Sequence, residues 1–205
     1  MSRTSTIKFG QDYVRHDDTK GTWALRSLFS LGTGALDATI NPRPIPDGRF
    51  FSWLGQVQRV QTLNDNNLLI LQGDLQLTPN GLLPSQQFVI GGGQSVRGYR
   101  QNVRAGDNGL RFSLEKRITL QRDETGNSVF QLAPFVDLGA VWNVSDNPNK
   151  LQRQTFLAGA GLGLLYSPLP KLNLRLDYGL PLVNLVDRGA NVQDSGFYFS
   201  VNYQL

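Results

Sequence analysis

The sequence predicts an all-β fold, a transmembrane antiparallel meander β-barrel of which about nine strands are present. Three observations predict it: the strand-like segments are long, their side chains alternate between apolar and polar, and their connections alternate between short and long. Most segments span about 10–14 residues, which suits the ~9–11 residues of a membrane-barrel strand better than the ~5–6 of a globular one.

The predicted strands cover residues 3–9, 22–31, 50–63, 68–78, 109–121, 129–142, 155–167, 171–183 and 196–205, and the first is the weakest. Period-two alternation is clearest in the second half of the chain. In the eighth strand four leucines and Tyr178 alternate with polar residues that include Arg175 and Asp177. Apolar-out and polar-in alternation is typical of a membrane barrel, whereas a soluble sheet usually shows it over fewer residues.

The connections support the same fold. Short ones lie near residues 17–21, 64–67, 122–128 and 168–170, and longer ones at 32–49, 79–108, 143–154 and 184–195. Outer-membrane barrels have tight periplasmic turns on one rim and longer loops on the other. We therefore expect a protein of a Gram-negative-type outer membrane, surrounded by outer-membrane lipid, with Leu205 on the periplasmic side and Met1 on the extracellular side.

The strand count predicts that residues 1–205 are only part of a barrel. Bacterial barrels normally have an even number of strands, and lipid does not tolerate open sheet edges. Residues 1–10 also lack the apolar core of a signal peptide. Without the first segment, eight strands would form a barrel too narrow to hold residues 79–108 inside.

Composition argues against several other classes of protein. There are no cysteines, so disulfides and Cys-based metal sites are excluded, and we expect no metal and no cofactor. The net charge of +4 includes no long basic run, so no nucleic-acid partner is expected. The one histidine, His16, is placed in a turn beside Asp17 and Asp18, a poor setting for a catalytic site, so we expect no enzyme.

The connection at residues 79–108 carries two glycine-containing groups. These are a glycine run and a tetrad: Gly91, Gly92, Gly93, and Val96, Arg97, Gly98, Tyr99. The tetrad and run resemble the signature of the superfamily that contains BamA and the TpsB transporters of two-partner secretion (hemolysin secretion/activation). A phosphate-binding loop is disfavoured because a strand, and not a helix N-terminus, follows the glycines.

A second element, Phe135, Asp137 and Gly139, is similar to the F-x-D-x-G element of the same superfamily, and Glu115 resembles its inward acidic residue. The resemblance implies that the chain supplies strands eight to sixteen of a sixteen-stranded barrel. It also implies that the loop at 79–108 folds into the lumen and that Arg97 pairs with Asp137. The POTRA domains and the first strands of such a protein are absent from this sequence.

The residues alone lead to a related expectation. Asp137 opposes the apolar face of its strand, so it points inward, and a turn centred near Thr125 places Glu115 opposite Phe135. Asp137 is then the diagonal neighbour of Glu115, and two close carboxylates favour a cation such as Arg97. The alternative is that Arg97 is a solvated loop charge and Asp137 an ordinary pore-lining acid.

The resemblance implies that the function is outer-membrane transport of a polypeptide, with a secreted partner polypeptide as cargo. BamA-like assembly of other barrels and a passive porin-like channel are the alternatives. The last strand resembles the signal that the barrel-assembly machinery reads, carried by Phe197, Phe199, Val201, Tyr203 and Leu205. The final Leu205 departs from the Phe or Trp that is usual in the family.

Overall fold

The computed structural model describes residues 2–204, and its main element is one nine-stranded antiparallel sheet in which neighbours in sequence are neighbours in space. Its strands are β1 (Ser5–Asp17), β2 (Gly21–Thr33), β3 (Phe50–Asn64), β4 (Asn67–Leu77), β7 (Asn108–Arg122), β8 (Ser128–Trp142), β9 (Phe156–Leu169), β10 (Leu172–Pro181) and β11 (Phe197–Tyr203). The predicted all-β meander of nine long strands is confirmed.

Two short strands interrupt the order of the main sheet. β5 (Phe88–Ile90) and β6 (Arg104–Gly106) pair with each other inside the connection between β4 and β7. We call that connection, residues 78–107, the lumen loop. The other local element is a single 3-10 turn, Val192–Ser195, capped by the Asn191 side chain. Residues 2–204 contain no α-helical segment that could serve as a membrane span.

The first strand differs most from the prediction. It runs to Asp17 because it pairs with β2 along its whole length, from Ser5 opposite Thr33 to Asp17 opposite Gly21. The placement of His16 in a turn was therefore wrong: it lies within β1, and the turn covers residues 18–20. The other main-sheet strands begin and end within about two residues of the predicted positions, the usual uncertainty of element boundaries.

The two faces of the sheet have opposite chemistry. On β7 the side chains of Leu110 and Phe112 are exposed on the outer face, whereas Ser113 and Glu115 are buried on the inner face. Short turns, at residues 18–20, 65–66, 123–127 and 170–171, form one rim, and the long connections form the other, which we call the loop rim. Apolar side chains therefore face the lipid and polar ones the lumen, as a membrane barrel requires.

The buried apolar cluster lies between the lumen loop and the sheet. It consists of Ile90, Val96, Tyr99, Val103, Val141 and Leu157. The first four belong to the loop, and the last two are inward side chains of β8 and β9. The loop therefore packs against the inner wall, and burial of this cluster favours that position by removing apolar surface from water.

Candidate functional site

Arg97, at the tip of the lumen loop, is buried against the inner wall and bound to Asp137 of β8 through two guanidinium nitrogens. Nε donates to Oδ2 at 2.7 Å and Nη2 donates to Oδ1 at 2.8 Å. The backbone N–H of Arg97 also donates to Oδ2, at 3.1 Å. Asp137 has no solvent exposure, so this bidentate, charge-assisted contact satisfies a carboxylate that water does not reach.

The pairing of β7 with β8 places a second carboxylate beside the same arginine. Glu115 lies opposite Phe135 and Ser113 lies opposite Asp137, the register that the predicted turn position implies. Nη1 of Arg97 donates to Glu115 Oε2 at 2.9 Å. The two acidic side chains are diagonal neighbours on the inner face, and the arginine lies between them.

The other members of the Phe135, Asp137 and Gly139 element also contact the loop. The guanidinium carbon of Arg97 lies 3.3 Å from the centroid of the Phe135 ring, a cation–π arrangement. Gly139 gives Val96 room, because a Cβ added at Gly139 would lie 2.9 Å from its Cγ2 atom. Within the element, Phe135 therefore stacks on the guanidinium, Asp137 pairs with it, and Gly139 leaves space for the loop.

The remaining tetrad residues hold the loop against β9 and β10. Gly98 has φ +102°, and a Cβ there would lie 2.8 Å from the Pro181 nitrogen, so both conformation and space favour glycine. The buried Tyr99 hydroxyl donates to the Ala158 carbonyl at 2.7 Å and accepts from the Val183 N–H at 3.0 Å. The tip is thus fixed by backbone contacts as well as by charge.

The glycine run lies just before the tip. Gly91 and Gly92 follow β5 at positive φ, and the Gly92 N–H donates to the Val96 carbonyl at 3.1 Å. Gly93 lies beside the ring of Tyr198, where an added Cβ would lie 3.1 Å from the ring atom Cδ1. The run therefore forms the turn that leads the chain from β5 to the tetrad.

Two further arginines and an aspartate complete the cluster, and sequence reasoning did not assign them to it. Arg175 Nη2 donates to Glu115 Oε2 at 2.6 Å, and Arg175 Nε donates to Asp177 Oδ2 at 2.6 Å. Arg117 Nε donates to Glu115 Oε1 at 2.9 Å. The available signal was parity, since Arg175 and Asp177 share the polar face of their strand.

We call these side chains the arginine–carboxylate network: Arg97, Arg117, Arg175, Glu115, Asp137, Asp177 and Ser113. Its three arginines balance its three carboxylates, so the network carries no net formal charge. Balance matters here because a buried charge without a partner is costly, whereas paired charges with satisfied hydrogen bonds are tolerated. The arrangement joins the lumen loop to β7, β8 and β10.

A second set of contacts lies near the loop rim. The buried Arg104 donates through Nη2 to Asp187 Oδ1 at 2.7 Å and through Nε to the Arg153 carbonyl at 2.9 Å. Its guanidinium holds the pKa of the Asp187 carboxyl below the usual range. Asp107 accepts from the N–H groups of Leu82 and Val144. The base of the lumen loop is thereby tied to the connections at residues 143–155 and 182–196.

The remaining predicted residues occupy other places. The side chains of Phe197, Phe199, Val201 and Tyr203 are exposed on the outer face of β11, and Leu205 lies outside the described residues. The ring nitrogen Nδ1 of His16 is 2.8 Å from the Thr22 hydroxyl, in an exposed position. Within residues 2–204, no three His, Cys, Asp or Glu side chains are grouped so that they could hold a metal ion.

The chain matches the family model described as haemolysin secretion/activation protein ShlB/FhaC/HecB over residues 2–166. No curated protein sequence matches significantly. Among solved structures it is similar to CdiB from Escherichia coli, with TM-score 0.74 and 22% identity over 97% of this chain and 35% of that one. CdiB from Acinetobacter baumannii gives TM-score 0.71 and 22% identity over 98% and 33%.

BamA from Haemophilus ducreyi, in a structure lacking POTRA domains 1–3, gives TM-score 0.68 and 18% identity over 96% of this chain and 42% of that one. The chain thus spans about a third of the length of the CdiB structures. At these identities the structural matches establish the fold. The predicted superfamily resemblance and the location in a Gram-negative outer membrane are confirmed. Because the family model covers most of its length, the chain belongs to the haemolysin secretion/activation family ShlB/FhaC/HecB.

Proposed function

We propose that the chain forms strands eight to sixteen of a sixteen-stranded transporter that exports a partner polypeptide across the outer membrane in two-partner secretion. Membership of a secretion/activation family supports this, as does likeness to CdiB over nearly the whole chain. In this proposal POTRA domains and seven further strands complete the protein. The POTRA domains receive the partner in the periplasm, and the barrel conducts it in extended form. The protein acts by transport and not by catalysis.

The observation that carries the proposal is the lumen loop held inside the barrel by Arg97. The strand ladder does not depend on this contact, because each main-sheet strand pairs with its neighbours through its own backbone. A barrel that served only as a wall would not need a buried arginine on a loop to meet carboxylates of three strands. We infer that the pairing sets the position of the loop in the transport path.

The test is secretion of the partner by the full-length parent protein carrying Arg97→Ala. Removal of the guanidinium weakens the contact between loop and wall, because Asp137 stays buried and keeps only its hydrogen bonds from Ser113 and the backbone. Secretion should fall while the barrel stays folded, as shown by heat-modifiable migration. Arg100→Ala is the matched control, because this neighbouring loop arginine is partly exposed and does not contact the network. Unchanged secretion by Arg97→Ala would contradict the proposal.

A second candidate is BamA-like assembly of other barrels, which the fold likeness to BamA favours. The number of POTRA domains encoded upstream of Met1 separates the two, because two domains indicate secretion and a larger number indicates assembly. Single-channel conductance without any partner-dependent secretion would instead favour a passive channel.

A further inference from the structure

Tyr198 of β11 makes two hydrogen bonds to consecutive residues of the tetrad. Its hydroxyl accepts from the Gly98 N–H at 2.9 Å and donates to the Tyr99 carbonyl at 2.6 Å. Both partners are backbone groups at the loop tip, next to Arg97. The side chain is half-buried, and its ring lies against Gly93. The phenol therefore bridges the loop tip and the barrel wall.

The strand that carries this tyrosine has an unusual position in the sheet. β11 pairs with β10 along one edge, and its other edge has no partner among residues 2–204. Lipid does not tolerate an open edge, so a closed barrel must pair this edge as well. β11 is also the shortest strand of the main sheet, with 7 residues, so its pairing with β10 is limited.

The hydrogen bonds that join β11 to the loop tip in the described structure both come from Tyr198. Arg97 binds β7, β8 and β10 through Glu115, Asp137 and Asp177. Tyr198 adds β11, and it lies directly opposite Asp177 in the register. A continuous set of contacts therefore runs from the arginine–carboxylate network through the tip backbone to the strand with the free edge.

We propose that Tyr198 is a positioning residue that couples the place of the lumen loop to the order of β11, so that release of the loop tip loosens the strand edge that closes the barrel. The inference rests on the proposed function of the loop, because it assigns the anchored loop a second role at the closing edge. The coupling acts through the hydroxyl, since both of its hydrogen bonds reach tip backbone atoms.

The experiment measures hydrogen–deuterium exchange of backbone amides at 96–100 and 197–203 in the full-length parent protein. Four forms are compared: the unsubstituted protein, Tyr198→Phe, Arg97→Ala and the double variant. Tyr198→Phe keeps the ring and removes both hydrogen bonds, so exchange at both segments should rise about tenfold. Tyr203→Phe is the matched control, because that tyrosine is on the same strand and faces outward.

The double variant separates coupling from a merely structural role. If Tyr198 transmits the state of the tip, Arg97→Ala raises exchange at both segments, and in the Tyr198→Phe background it raises nothing further at 197–203. A loop that is released by Arg97→Ala while 197–203 exchanges as before would overturn the coupling. So would Tyr198→Phe without effect on either segment. If Arg97→Ala leaves the loop protected, the anchoring role in the proposed function is wrong, and Tyr198→Phe alone then decides the coupling.

Discussion

The Ser113 hydroxyl and the Asp137 carboxylate face each other across β7 and β8, 2.6 Å apart, and the serine donates to the same oxygen, Oδ1, that receives Arg97 Nη2. The carboxylate is therefore oriented by its own barrel wall, and the loop arginine meets an acceptor whose direction is already set. Support of this kind is common around buried charges because it satisfies the remaining lone pairs. We therefore expect substitutions of Asp137 and Ser113 to release the loop to different extents.

Asp137→Asn should release the loop tip more than Ser113→Ala does. The amide keeps the shape of the side chain but removes the charge, and its NH2 group cannot accept a hydrogen bond from Arg97. Ser113→Ala removes a hydrogen bond to a charged group, worth about 1.5–3 kcal/mol, but leaves the ion pair between Arg97 and Asp137 in place. Limited proteolysis within residues 91–100 of the full-length protein measures the difference, and equal cleavage of the two variants would argue against a charge-based anchor.

Gly139→Val should displace the loop without unpairing β8. Even a Cβ at Gly139 would lie 2.9 Å from the Val96 Cγ2 atom, and overpacking of this kind costs about 1–3 kcal/mol. Ala140→Val is the matched control, since residue 140 is on the same strand and faces outward. Gly139→Val should lose partner secretion while its heat-modifiable migration remains that of a folded barrel. Ala140→Val should keep both secretion and migration.

Phe112→Arg should impair membrane assembly, whereas Gln72→Arg should be tolerated. Phe112 is exposed on the outer face, where an arginine in lipid costs about 2–4 kcal/mol near the midplane. Gln72 lies on the inner face of β4, opposite Ser113, where an added charge faces the lumen. The yield of heat-modifiable protein in outer-membrane fractions measures this, and equal yields would count against the assigned faces.

Acid should loosen the connection at residues 182–196 through the pair formed by Arg104 and Asp187. The arginine lowers the pKa of Asp187, so the carboxylate stabilises the folded connection above its ordinary pKa. That contribution to stability is lost as the pH falls below the ordinary pKa of an aspartate and through the lowered pKa of Asp187. Proteolysis or exchange of this connection between pH 7 and pH 3 should show the loss, and Asp187→Asn should be loosened already at pH 7 and depend less on pH. Since Asp187 is partly exposed, the effect should be modest.

The sequence predicts those parts of the structure that depend on local pattern. The inward direction of Asp137 follows from strand parity, and the pairing of Glu115 with Phe135 follows from the turn near Thr125. The full length of β1 does not follow, because it depends on pairing with β2, and its own alternation is weak.

Contacts between distant elements are also beyond local pattern. Arg175 and Asp177 could be assigned to the inner face, but their contact with Glu115 and Arg97 requires the curvature of the sheet from β7 to β10. The bond from Tyr198 to the loop tip joins residues 100 positions apart and depends on how the loop folds back. Periodicity assigns a face to a side chain, but it does not identify the loop atom that the side chain meets.

The most direct test of the central claim is a double-mutant cycle on Arg97 and Asp137 in the full-length parent, read as partner secretion with barrel folding checked in parallel. If the two side chains act as one contact that holds the loop, Arg97→Ala and Asp137→Ala each reduce secretion, and the double variant is no worse than the more severe single one. Losses that multiply in the double variant, or an Arg97→Ala protein that secretes normally, would contradict the account.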